Sequence, residues 1–111
     1  MQQILVGGFG PIARLGLRAI LDQAAVEVVA ECEPGRVMTL LAATSADVVV
    51  LDLDASGTDQ LARTVAARHP AVTVIACSVD RSLMRVYPRL GSGHANCRGL
   101  TAAALAEAAR N

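Results

Sequence analysis

The sequence contains no lysine; all ten basic residues are arginine. That absence excludes chemistry that needs an ammonium group, such as a phosphate-loop lysine, a Schiff base or a lysine general base. Tryptophan is also absent, and Phe9 and Tyr87 are the only aromatic residues among 111. The core must therefore be aliphatic. Scarce rings and a formal net charge of zero argue against direct nucleic-acid contact, which needs basic patches or stacking platforms. Cysteine is sparse, and Cys32, Cys77 and Cys97 include no short-spaced pair. That spacing excludes a zinc knuckle or disulfide framework and fits a reducing cytoplasm. No run approaches the ~18 apolar residues of a membrane span. The first residues lack the basic flank and apolar stretch of a secretion signal.

The residues present suit one folded domain over positions 1–111: 53% are hydrophobic and 18% charged, enough apolar surface to offset the entropy of ordering. Val- and Ile-rich runs at 3–6, 26–31, 48–51 and 72–77 alternate with helical patterns, and 93–97 is a weaker fifth strand. The uninterrupted run Val48-Val49-Val50-Leu51 suits a central parallel strand covered on both faces. In the first helix Ile12, Leu15, Ala19 and Ile20 recur at helical spacing and predict one buried stripe. Pro11 fits the first helical position, and Pro70 ends the third helix. A fourth helix over 82–90 contains Pro88 and is expected to be short or irregular. An alanine-rich helix closes the chain over 100–110. Five βα units predict a parallel sheet layered by helices.

Arg14-Leu15-Gly16-Leu17-Arg18 in the first helix, Asp47-Val48-Val49-Val50-Leu51-Asp52-Leu53 at the third strand and Arg68-His69-Pro70 before the fourth occur in an order that resembles the receiver domain of NarL/FixJ-type bacterial response regulators. Gly91-Ser92-Gly93 is a weaker match. The resemblance covers the whole chain. It implies a flavodoxin-like (βα)5 receiver fold with a five-stranded parallel sheet of order 2-1-3-4-5. It also implies a phosphoacceptor aspartate at Asp52 and a phosphate-binding hydroxyl at Ser78. The family's acidic pair, which holds Mg²⁺, corresponds to Gly8 and Phe9, which carry no carboxylate. The family's lysine position is Cys97 and its aromatic switch position is His94. The resemblance therefore points to an atypical, phosphorylation-independent receiver that uses no Mg²⁺ or other cofactor and is not an enzyme. The resemblance implies that it acts as a regulatory and dimerisation module of a transcription regulator. Such domains dimerise through their fourth and fifth or first and fifth helices and are often fused to a DNA-binding helix-turn-helix.

Four further expectations complete the reading. Asp54 lies two positions after Asp52, so the two carboxylates are expected to share a side and raise each other's pKa. Gly8-Phe9-Gly10-Pro11-Ile12-Ala13 fits G-x-G-x-x-A after a strand, with Glu31 about 20 residues on. The alternative reading is thus a small-ligand or dinucleotide site built from Gly8, Gly10, Ala13 and Glu31. A crevice between Gly8, Asp52, Ser78 and His94 is a candidate site for a small-molecule effector. Cys77 and Cys97 are expected to be packed thiols.

Overall fold

Four Val- and Ile-rich segments pair in parallel: β1 (Gln3–Gly7), β2 (Glu27–Cys32), β3 (Val48–Asp52) and β4 (Thr73–Ser78). Their spatial order is β2-β1-β3-β4. The computed structural model describes residues 3–89 and 96–110. Because strand side chains alternate between faces, each strand feeds two layers. Ile4, Val6, Val48, Val50, Ile75 and Cys77 pack on one side with Leu17, Leu21 and Leu105. These three belong to α1 (Pro11–Gln23) and α4 (Ala102–Arg110). Leu5, Val49, Leu51, Val74 and Ala76 face the other layer. There they meet α2 (Val37–Ala43), which follows a 3-10 turn at Pro34–Arg36, and α3 (Thr58–Arg68). Every residue of β4 is buried, as expected for a strand covered on both faces. Each fully buried Val, Leu or Ile contributes about 1.5–3 kcal/mol relative to exposure.

Helix α1 starts as expected, with Gly10 extended and Pro11 at its first turn. Its buried stripe is different. Leu17 and Leu21 are buried, and Ala13 and Ile20 pack beside them. Ile12 is 85% exposed, Leu15 73% exposed, and Ala19 also faces solvent. The helix carries two apolar stripes on opposite faces, so periodicity alone selects the wrong one.

The expected order holds through β4, and there the sheet departs from five parallel strands. Residues 82–89 do not form the fourth helix expected over 82–90. Leu83–Tyr87 is a strand, β5, antiparallel to β4. Asn96–Gly99 forms β6, antiparallel to β5, and the sheet has six strands of mixed direction. The expected fifth strand over 93–97 is partly represented by β6; its residues 93–95 lie outside the described residues. The reason for β5 is local. Ser78 pairs with Leu83 across a tight turn in which Ser82 adopts the left-handed conformation, φ 52. Met84 and Val86, spaced by two, enter the α1/α4 layer, and Tyr87 enters the other. Period two favours a strand, and Pro88 would break a helix interior. Among the described residues there are four α-helices, and α4 is the helix expected as the fifth. Among the described residues no helix is long and apolar enough to cross a membrane.

Candidate functional site

Asp52 ends β3, half-buried, opposite Cys77 of β4. Its carboxylate Oδ1 accepts the backbone N–H of Asp54 at 2.9 Å. Its backbone carbonyl accepts the hydroxyl of buried Thr58. Thr58 is the first residue of α3, after Gly57, whose left-handed φ of 80° turns the chain into the helix. The loop after β3 thus folds around Asp52 and holds it at the carboxyl end of the strand.

The Asp54 carboxylate is engaged at the end of β4. Ser78, fully buried at the end of β4, donates its hydroxyl to Asp54 Oδ2 at 2.6 Å. Arg81 Nη2 donates to Asp54 Oδ1, also at 2.6 Å. The Ser78 Oγ additionally accepts the backbone N–H and the Nε–H of Arg81, both at 3.3 Å. These bonds, Ser78 first and Arg81 second, hold the Asp54 carboxyl below its ordinary value. The expected mutual raising of the two aspartates is therefore corrected for Asp54. Ser78 is spent on Asp54 rather than directed at Asp52. Arg81 is the site residue that sequence reasoning missed. Its only signal was compositional: with no lysine in the chain, any cation here must be an arginine or a histidine.

Gly8 and Phe9 follow β1, and the Gly8 N–H donates to the Cys32 carbonyl of β2 at 2.9 Å. The Phe9 ring is 5% exposed and packs in the α1/α4 layer. Gly8 has φ 85, and a Cβ there would stand 2.8 Å from the Pro34 ring. With Gly10, Arg14, Glu31, Cys32 and Pro34 they line a crevice of about 480 Å³ at the ends of β1 and β2. Asp52 and Ser78 are not among its walls. Glu31 sits 4.0 Å from Arg18, and Arg14 Nη2 donates to the Phe9 carbonyl at 3.3 Å. Ala13 packs against the core instead of the crevice. Of the residues expected around an effector crevice, Gly8 lines this one, while Asp52 and Ser78 close the neighbouring strands β3 and β4. His94, with Gly91-Ser92-Gly93, lies outside the described residues.

Cys97 also departs from expectation. It lies on β6, with β5 between it and β4, so it stands two strand spacings, roughly 9–10 Å, from β4. Its thiol is exposed, and its Sγ accepts Arg85 Nε–H at 3.5 Å. Cys77 is buried as expected. Burial, aided by the Asp52 charge, pushes its pKa up to about 12. Among the described residues no group of three His, Cys, Asp or Glu side chains is arranged to hold a metal ion.

No protein-family model matches the chain, and no curated protein matches it. Solved structures do. The isolated REC domain of RcsB from Salmonella enterica serovar Typhimurium, in the presence of the phosphomimetic BeF3-, aligns with TM-score 0.57 and 22% identity over 66% of this chain and 58% of that one. The RcsB response regulator of Salmonella typhimurium aligns with TM-score 0.58 and 23% identity over 68% and 42%. RcsB bound to a promoter aligns with TM-score 0.59 and 23% identity over 73% and 44%. The chain thus spans roughly half the length of the proteins it resembles, between 42% and 58%. What it shares with them is the flavodoxin-like receiver fold, here carrying an antiparallel β5 beside β4.

Proposed function

We propose that this chain is the receiver module of a response regulator and works by protein contact and dimerisation rather than by aspartyl phosphate. The observation that carries this reading is Phe9, which stands where the family has a metal-binding acid and whose ring is buried in the core. Phosphoryl transfer to a carboxylate needs a cation to bridge the repelling oxygens. The donors do not fit a hard divalent cation, which takes oxygen ligands, usually carboxylates. Gly8 and Phe9 offer no carboxylate, and the Asp54 carboxylate is bound by Ser78 and Arg81. Asp52 is retained as a strand-end group that organises its own loop.

The whole protein is expected to carry a DNA-binding domain, in keeping with the promoter-bound RcsB structure. Dimerisation through a surface that includes the first helix is supported by Ile12 and Leu15, whose side chains face solvent on the outer side of α1. The deciding experiment is intact-mass measurement after incubation with Mg²⁺ and acetyl phosphate. No stable adduct is expected. Stoichiometric gain of one phosphate at Asp52 overturns the reading.

The crevice beside Gly8, Gly10 and Glu31 favours the alternative of a small ligand or dinucleotide held at the carboxyl ends of β1 and β2, where open α/β sheets bind ligands. NAD(H) would then raise the melting temperature at sub-millimolar concentration; an unchanged melting temperature with each dinucleotide tested removes it.

A further inference from the structure

Three side chains close on one another where β3 and β4 end. Asp54 comes from the loop after β3, Ser78 from the last residue of β4 and Arg81 from the turn into β5. Arg81 makes three donations here: Nη2 to Asp54 Oδ1, with Nε and the backbone N–H to Ser78 Oγ. Ser78 completes the triangle through its own donation to Asp54 Oδ2. The other arginines on the β5–β6 side are engaged elsewhere. Arg85 faces Asp59 and Cys97, and Arg98 faces Glu107.

We propose that Arg81 is the built-in cation of this site, a tethered guanidinium that fastens the loop after β3 to the β4–β5 turn. The proposal rests on the reading above that no divalent cation occupies the site, and deepens it by naming what neutralises Asp54 instead. A guanidinium suits the role because it stays charged at all physiological pH values. Its rigid fork can also serve a carboxylate and a hydroxyl together. A diffusible ion comes and goes with its concentration, but Arg81 is covalently part of the hairpin it secures. The hairpin, standing where a fourth helix was expected, is therefore held in one position relative to Asp52 and its loop.

Hydrogen–deuterium exchange on the full chain tests this, because local opening reports each segment separately. Arg81→Gln should raise exchange several-fold in residues 53–57 and residues 79–83 together, while β1 and α2 stay unchanged. Asp54→Asn should give the same pattern, and the double variant should add little to either single one, as expected for two ends of one interaction. Arg81→Lys, which keeps a charge but not the fork, should fall between wild type and Arg81→Gln. The latch is overturned if Arg81→Gln leaves residues 53–57 unchanged, or if the two single effects simply add. A parallel series in millimolar magnesium chloride separates the two readings. Wild-type protection that rises with magnesium sinks the cation-free reading, while the Arg81 and Asp54 variants still judge the latch on their own.

Discussion

The Tyr87 hydroxyl donates to Asp59 Oδ1 at 2.8 Å and so joins the end of β5 to the first turn of α3. Asp59 also receives Arg63 at 3.2 Å, one turn along its own helix, and Arg85 at 3.7 Å from β5. The half-exposed carboxylate thus collects three donors, two of them from the strand that replaces the expected helix. Tyr87→Phe removes one donor and leaves the ring in place. The loss should cost about 1 kcal/mol, the net worth of one such hydrogen bond, read as a lower urea midpoint with unchanged slope. An unchanged midpoint would mean that the bond does not help anchor β5.

The alternation of β5 makes a second prediction that a helix over the same residues would not share. Met84 is fully buried in the α1/α4 layer, whereas its neighbour Leu83 is 39% exposed. Met84→Ala should cost about 2–4 kcal/mol through lost contacts and the cavity left behind. Leu83→Ala should stay below about 1 kcal/mol. Equal costs at the two positions would contradict the strand.

These two residues also mark where sequence legibility stopped. The parallel strands β1, β3 and β4 were visible because each is a short, buried Val- and Ile-rich run, whose length and β-branched content favour a strand over a helix. β2 showed instead through the alternation of Glu27-Val28-Val29-Ala30-Glu31. The segment after Ser78 was ambiguous because five residues are too few to separate period two from period 3.6. The usual fold then supplied a helix, despite the warning of Pro88. Asp52 and Ser78 were found by position along the chain. Arg81 was not, because its role depends on a tight turn that returns it to Ser78, and that turn exists only if residues 83–87 form a strand. The α1 stripe was misassigned for a different reason: Ile12 and Leu15 have the spacing of a buried face, but Leu17 and Leu21 occupy the opposite one.

That exposed stripe supplies a third prediction. Ile12 and Leu15 bury little surface within the described residues, so Ile12→Ser and Leu15→Ser should change unfolding free energy by no more than about 0.5 kcal/mol. Two such side chains one turn apart on the outer face of a helix form an apolar patch that a second copy of the chain can cover. In sedimentation velocity, the wild-type chain should associate at micromolar concentration and the double variant should run as a monomer. An associated double variant would show that the contact lies elsewhere.

The cysteines give a graded chemical test and a pH dependence of definite sign. Cys97 is exposed, Cys32 half-buried and Cys77 buried. Iodoacetamide should therefore label them in that order, with Cys77 modified only on unfolding. Burial raises the Cys77 pKa from 9.0 to about 12. A thiol whose folded pKa exceeds its unfolded one contributes stability that is fully present below the unfolded value. That contribution is lost as pH rises toward the folded value, because the unfolded chain releases its proton first. Stability should accordingly fall as pH rises above about 9, with the Tyr87 phenol, also raised by burial, adding to the decline at higher pH. Cys77→Val removes the thiol while keeping an apolar side chain of similar size, so its stability should fall less steeply between about pH 9 and 11. Parallel wild-type and Cys77→Val curves over that range would show that Cys77 does not deprotonate more readily in the unfolded chain.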